Sequence, residues 1–180
     1  MKVKEVKSYL LNPGWGKNLL FVKITTDNGL VGWGECYTQS DRDKTIVTHL
    51  EHMSKYLKGR DPFEIKYFNQ IIFDDYASRR GSMEIFSALS GIEQALWDIC
   101  GKETKQPVYN LLGGPSRGKL RVYANGWYAG ALVPEDYAEK AKKTIDKGFT
   151  ALKFDPIPGP FRSIISKNNL EQSIETVRQV

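Results

Sequence analysis

Only two cysteines, Cys36 and Cys100, occur in the 180 residues of this chain. They lie in unrelated segments and have no Cys-x-x-Cys partner, so neither a disulfide framework nor a thiolate metal site is indicated. Both are expected to be reduced thiols. Histidine is equally scarce. His49 and His52 stand at i, i+3 and could supply half of a metal site, but no third ligand is near in sequence, which favours packing or surface roles. No apolar run approaches the roughly 20 residues of a membrane-spanning helix, and the opening MKVKEVKSYLL lacks the apolar core of a signal peptide. A cytoplasmic location with no membrane partner is the expectation. The net charge of +5 is modest. Lys140, Lys142 and Lys143 are interleaved with Glu135, Asp136, Glu139 and Asp146, which reads as a solvated helix face and not as a phosphate-binding stripe, so no nucleic-acid partner is expected. A mild positive balance suits an anionic small substrate.

What is present is patterned. A hydrophobic share of 41% and a charged share of 26% are those of an ordinary globular protein, and this length can bury one core, or one small domain with part of another. Residues 2–11, 19–26 and 30–35 read as strands, with Asp27-Asn28-Gly29 as a hairpin signal whose Asn-Gly pair should take positive φ. The pattern turns helical from Asp41 to Leu57, with Asp41 as N-cap and Gly59 as stop, and again from Asp61 to Phe73. Ile85, Leu89, Ile92, Leu96 and Ile99 then mark one stripe of a buried helix from about Ser82 to Cys100, which Gly101 should stop. Strands first and helices after predict an α+β domain at 1–118.

After Gly114-Pro115 the pattern changes. A strand at 120–124 precedes a helix that starts at Pro134, carries Tyr137, Ala141 and Ile145 on one face and ends at Gly148. A second strand follows at 151–154, and Leu170, Ile174 and Val177 imply another outer helix. This is a βαβ unit with parallel strands and a right-handed crossover. Two strands and two helices cannot close a sheet, and an eight-stranded βα barrel needs about 250 residues, whereas residues 119–180 number 62. The expectation is therefore an α+β domain at 1–118 followed by the incomplete beginning of a (β/α) barrel at 119–180, through truncation, a split gene or proteolysis. The alternative is a self-contained α+β domain with a βαβ appendage.

Reactive groups in such a barrel lie at the C-terminal ends of strands, here Asn125-Gly126-Trp127 and Lys153-Phe154-Asp155. Lys153 and Asp155 project to the same side. From the residues alone, a rim lysine paired with a nearby acid explains them better than catalysis does, because a lone Lys-x-Asp is unspecific.

The string Ile92-Glu93-x-Ala95-Leu96-Trp97-Asp98-x-x-Gly101-Lys102-x-x-x-x-Pro107-Val108-Tyr109-x-Leu111-Leu112-Gly113-Gly114 resembles the segment joining the capping domain to the barrel in the mandelate racemase/muconate lactonizing enzyme family of the enolase superfamily. The likeness extends over essentially the whole chain. It implies Mg²⁺-dependent abstraction of a proton α to a carboxylate, with metal ligands on the third to fifth barrel strands, which this chain lacks; the chain itself is expected to hold no metal. Lys153 matches the first lysine of the family's Lys-x-Lys, which helps polarise the substrate carboxylate, and Asp155 stands where the second, basic lysine is usual. A carboxylate beside an anionic substrate is a poor substitute for that amine. Proton abstraction is therefore assigned elsewhere, and the Lys153-Phe154-Asp155-Pro156 version resembles the sugar-acid dehydratases acting on gluconate or galactonate. The alternatives are a racemase or epimerase of the same family, or a non-catalytic capping or assembly module. The resemblance also implies two specificity loops, Asn12–Asn18 and Cys36–Arg42, which bring Trp15 and Tyr37 to the substrate. Arg79, Arg80 and Asn125 are further substrate-binding candidates. A homo-oligomer is expected, and residues 1–180 alone are expected to be inactive.

Overall fold

The computed structural model describes residues 1–14, 16–38, 40–157 and 165–180. The chain divides into two compact units, Met1–Ser116 and Arg117–Val180. Trp15 lies outside the described residues.

The first unit opens with an antiparallel meander, β1 (Val3–Leu11), β2 (Leu19–Thr26) and β3 (Val31–Cys36), in the order β1-β2-β3. The turn between β2 and β3 differs from the expected pair of left-handed residues: Gly29 alone takes positive φ (85°), and Asn28 does not. Gly29 N–H bonds to Thr26 C=O at 3.1 Å, and Thr26 N–H to Leu30 C=O at 2.9 Å. One extra loop residue lets a single glycine reverse the chain.

Four helices follow: α1 (Asp43–Leu57), α2 (Ile65–Ile71), α3 (Met83–Thr104) and the one-turn α4 (Val108–Leu111). Two expected starts move. A 3₁₀ turn at Ser40–Arg42 precedes α1, so Asp41 is not its N-cap. α2 begins at Ile65 and not at Asp61, because Asp61 closes a turn around Pro62, accepting from Phe63 N–H through Oδ1 (3.0 Å) and from Glu64 N–H through its carbonyl (3.0 Å). α2 then runs into a π turn at Ile72–Tyr76. Ile46, Leu50, Met53 and Leu57 recur at helical spacing on α1 and are buried with Ile92, Leu96 and Ile99 of α3 and Leu20, Val22 and Ile24 of β2. The apolar face of the sheet meets the stripes of both helices, and burial of this kind is worth about 1.5–3 kcal/mol per large side chain.

Gly101 does not stop α3. The helix runs through it to Thr104 and ends at Lys105, which is left-handed at φ 56°. Gln106 N–H bonds to Gly101 C=O (2.9 Å) and Lys105 N–H to Lys102 C=O (3.3 Å), a Schellman closure. Gly101 is needed for space instead: a Cβ there would lie 2.9 Å from Gln106 O.

β3 and α3 approach until only glycine fits. A Cβ on Gly34 would lie 2.0 Å from Gly91 O, one on Gly32 2.1 Å from Ala95 O, and one on Gly91 2.3 Å from Cys36 Sγ. Side chains one helical turn apart on α3 then cover the outer edge of β3. Lys102 Nζ donates to Val31 C=O (2.8 Å), Asp98 Oδ2 accepts from Trp33 N–H (2.9 Å), and Gln94 bonds to both the N–H and the C=O of Glu35. An edge strand that would otherwise offer free amides is thereby closed.

The second unit contains α5 (Pro134–Ile145) and α6 (Lys167–Gln179). The strands expected at 120–124 and 151–154 shrink to one parallel bridge, Ala124 with Leu152, in which Ala124 N–H bonds to Ala151 C=O (3.0 Å) and Lys153 N–H to Ala124 C=O (2.8 Å). The direction is as expected; the ladder is short because a lone pair of strands has no further neighbours to hold it flat. α6 is present, but Leu170, Ile174 and Val177 are exposed, as is Ile145 of α5. The buried residues of α6 are Ser173 and Thr176, and Ser173 Oγ donates to Pro156 C=O (2.9 Å).

Candidate functional site

In the second unit the two chain segments run parallel past the Ala124–Leu152 bridge, and their ends emerge together. Trp127 Nε1 donates to Lys153 C=O at 2.9 Å. Trp127 also packs edge-on against Tyr128 and Phe154, with ring centroids 5.5 and 5.3 Å away, and Tyr137 of α5 closes the cluster. This cage grips the backbone on either side of Lys153 and leaves its side chain exposed, with Nζ 5.9 Å from the ring centroid of Tyr123. Asn125 is exposed at the end of the first segment, where its Oδ1 accepts from Gly126 N–H (2.9 Å). Asp155 Oδ1 accepts from Ile157 N–H (3.2 Å), so the carboxylate shapes the turn that leaves the strand. A cleft of about 250 Å³ beside it is lined by Tyr137, Asp155, Gln172 and Thr176, among others. Asn125, Lys153 and Asp155 thus share one strand-end surface. The aromatic cage is not read from the sequence alone, although four aromatic residues at Trp127, Tyr128, Tyr137 and Phe154 are its signal.

In the first unit the loop between β1 and β2 and the loop between β3 and α1 are tied together. Asn12 Oδ1 accepts from Gly14 N–H (2.7 Å), while Asn12 Nδ2 donates to Asn18 Oδ1 (2.9 Å), which draws the ends of the first loop inward. Lys17 Nζ donates to the Tyr37 hydroxyl (2.9 Å), and Thr38 Oγ1 donates to Asn18 C=O. Asn18 Nδ2 in turn donates to Asp43 Oδ2 (2.8 Å) at the start of α1, and Ser87 of α3 donates to Tyr37 C=O (2.7 Å). Tyr37 therefore joins the Asn12–Asn18 loop to the Cys36–Arg42 loop.

Arg79 and Arg80 are exposed at the end of the π turn. Ser78 and Arg79 are consecutive left-handed residues, φ 48° and 58°. Such strain concentrates where surrounding structure insists on a side-chain direction. The turn is anchored by the Tyr76 hydroxyl, 2.6 Å from His49 Nδ1. Nearby, Arg42 pairs with the buried Glu84 at 2.6 Å. Hydrogen bonds from its own backbone N–H and from Ser82, with the Arg42 charge behind them, hold the Glu84 carboxyl below the usual range. Burial lowers His49 below the usual histidine range, and burial pushes the Cys36 thiol up to about 12. His49 and His52 both pack edge-on against Tyr76. Among the described residues, no group of three or more His, Cys, Asp or Glu side chains gathers to hold a metal, and no helix is long and apolar enough to cross a membrane.

The chain resembles proteins of known name along nearly its full length. It is 38% identical to the D-gluconate/D-galactonate dehydratase of Picrophilus torridus, in an alignment covering 97% of this chain and 46% of that protein. It is 36% identical to the D-gluconate dehydratase of Thermoproteus tenax, over 98% of this chain and 37% of that protein. The crystal structure of a Mesorhizobium loti protein matches it with a TM-score of 0.92 at 33% identity, covering 100% of this chain and 49% of the other. The chain thus spans about half the length, or less, of the relatives it matches. The N-terminal domain model of the mandelate racemase/muconate lactonizing enzyme family matches residues 16–113, and with the meander, the glycine-lined contact of β3 with α3 and the paired loops in place, the chain belongs to that family.

Proposed function

We propose that this chain is part of an acid-sugar dehydratase, a hydro-lyase for a gluconate- or galactonate-type substrate, with residues 1–118 as capping domain and 119–180 as the start of the barrel. The observation that carries the reading is the near-complete match to relatives named for those two activities. The exposed Lys153 at a strand end supports it. In the reaction, the proton α to the carboxylate leaves, the β-hydroxyl departs as water, and the resulting enol tautomerises to a keto acid.

Lys153 places its ammonium against the substrate carboxylate, where it favours the charge that builds as the α-proton leaves. Trp127 holds the Lys153 carbonyl and so fixes where that ammonium can reach. Asp155 is committed to its turn and would be repelled by an anion, so it shapes the rim while another residue takes the proton. Asn125 offers a neutral amide to substrate hydroxyls. Trp15 and Tyr37 belong to the loops that close over substrate and exclude water, and Arg79 and Arg80 offer guanidinium groups to its oxygens. The magnesium ion implied by the family needs converging oxygen ligands. The described residues do not supply them.

The test is a sugar-acid library offered to the complete protein, with and without chelator, with keto acid measured as product. Gluconate or galactonate should be dehydrated, and Lys153→Ala should lower turnover by about 100-fold or more, the scale of removing one electrostatic donor. Residues 1–180 alone should show no turnover. Racemisation without loss of water would replace this reading with the racemase or epimerase one, and turnover by the 180-residue chain would refute the division of labour.

A further inference from the structure

The two edges of the three-stranded sheet are finished differently. On β3, the amides of Trp33 and Glu35 are taken by α3. The alternate residues Gly32, Gly34 and Cys36 therefore face β2, and β2 turns Phe21 and Lys23 toward β1. Their partners there are Tyr9 and Lys7. Val6, Ser8 and Leu10 consequently direct their N–H and C=O groups out of the sheet. At the start of β1 this edge is closed, since Val3 N–H bonds to Arg60 C=O (2.9 Å) and Gly59 N–H to Val3 C=O (2.8 Å). Beyond the bulge between Val3 and Glu5, no described residue pairs with the outward groups of Val6, Ser8 or Leu10. The same end of the strand exposes Tyr9, Leu10 and Leu11 at 38%, 37% and 51%.

We propose that this edge is completed by β1 of a second copy of the chain, running antiparallel with a two-fold axis at Ser8. Residues 6, 8 and 10 are symmetric about Ser8, so Val6 would pair with Leu10 of the second copy and Ser8 with its counterpart, satisfying every outward amide at once. Lys7 then stands opposite Tyr9 of the second copy in a non-hydrogen-bonded pair, where side chains come closest and an ammonium can meet a ring face. Glu5, 3.0 Å from Lys7 in its own chain, stands opposite Leu11. No like charges face each other. An axis at Lys7 would also satisfy the amides, but it would set Lys7 against Lys7 in a close non-hydrogen-bonded pair. An axis at Val6 would drive the far end of the second strand into the Gly59–Arg60 segment that already occupies the edge. The facing of Lys7 with Tyr9 and the absence of opposed like charges are what favour a second copy of the chain as the occupant, and this is independent of the chemistry proposed above.

Sedimentation velocity of the 180-residue chain from micromolar to several hundred micromolar should show a monomer–dimer equilibrium. Ser8→Pro removes an N–H that the sheet does not use, and proline is tolerated at such edge positions. It should leave the circular dichroism unchanged and weaken association at least tenfold. In a mixture of Lys7→Cys and Tyr9→Cys chains, mild oxidation should cross-link residue 7 to residue 9, while Tyr9→Cys alone should not cross-link to itself. A chain monomeric throughout the range, or cross-links that favour another register, would overturn the proposal. Should Ser8→Pro unfold the protein, the cross-linking pattern decides by itself; a folded Ser8→Pro that associates unchanged also overturns it.

Discussion

Gln94 of α3 and Glu35 of β3 pair as two strands would: Glu35 N–H donates to Gln94 Oε1 at 3.2 Å, and Gln94 Nε2 donates to Glu35 C=O at 3.1 Å. A side-chain amide thus replaces a missing backbone neighbour. Gln94→Ala should lower stability by about 1–2 kcal/mol, the net worth of two partly solvated hydrogen bonds. Gln94→Glu should recover part of the loss at most, because a carboxylate accepts from the N–H and cannot donate to the C=O. Urea midpoints of the three proteins test the order.

The contact beneath that pair allows no side chain at all. Gly34→Ala would put a Cβ 2.0 Å from Gly91 O, a backbone atom that cannot swing aside. β3 and α3 would have to separate along their length. A loss of about 3 kcal/mol, at the upper end of overpacking penalties, is expected in chemical unfolding. A substitution at Gly118, where a Cβ would meet nothing within 4 Å, serves as the control and should change stability by less than about 0.5 kcal/mol.

Left-handed residues that are not glycine separate stability from function. Lys105→Gly should stabilise the chain by up to about 1 kcal/mol, since the αL position at the end of α3 suits glycine better. Arg79→Gly should also stabilise, by a similar amount, because Arg79 sits at φ 58°. If Arg79 contacts the substrate, the same change raises KM in the complete protein, whereas Lys105→Gly leaves it alone.

Depressed carboxylates, Glu84 and Asp136 among them, shape the acid limb of stability. Backbone N–H groups of Leu132 and Val133 hold Asp136 below the usual carboxylate range at the start of α5, and Glu84 is lowered by its own backbone N–H, Ser82 and Arg42. A group depressed in the folded state stabilises at pH above its unfolded value of about 4 and loses that contribution as pH falls through the folded value. Stability should therefore decline gently as pH falls from 7, because the unfolded chain protonates His49 more readily than the folded one does, and fall further below about 4 as the carboxylates protonate. Asp136→Asn should flatten the acid limb relative to the native chain, as measured by urea unfolding across that range.

The order of elements in this protein is legible from its sequence because it rests on local chemistry. Alternation over 19–26, the spacing of Ile85 through Ile99, Pro134 at a helix start and Gly59 at a helix end act within one or two turns of chain, and a long motif from Ile92 to Gly114 carried the family. Where local signals competed with contacts from far along the chain, they lost. Gly101 resembles a stop, yet it is a place where Gln106 passes too close for a Cβ. Leu170, Ile174 and Val177 form an apolar stripe, yet Ser173 and Thr176 face inward in this chain. Gln94, Asp98 and Lys102 read as the polar side of a helix, and only the approach of β3, about 60–70 residues away in sequence, makes them its hydrogen-bond partners. The same holds at the strand ends: Lys153 and Asp155 stand out as residue types, but the Trp127 indole on the Lys153 carbonyl and the turn that occupies Asp155 exist only once two parallel segments lie side by side. Periodicity tells a segment which of its faces is apolar. Which surface that face meets, and how closely, is decided by packing across the whole unit.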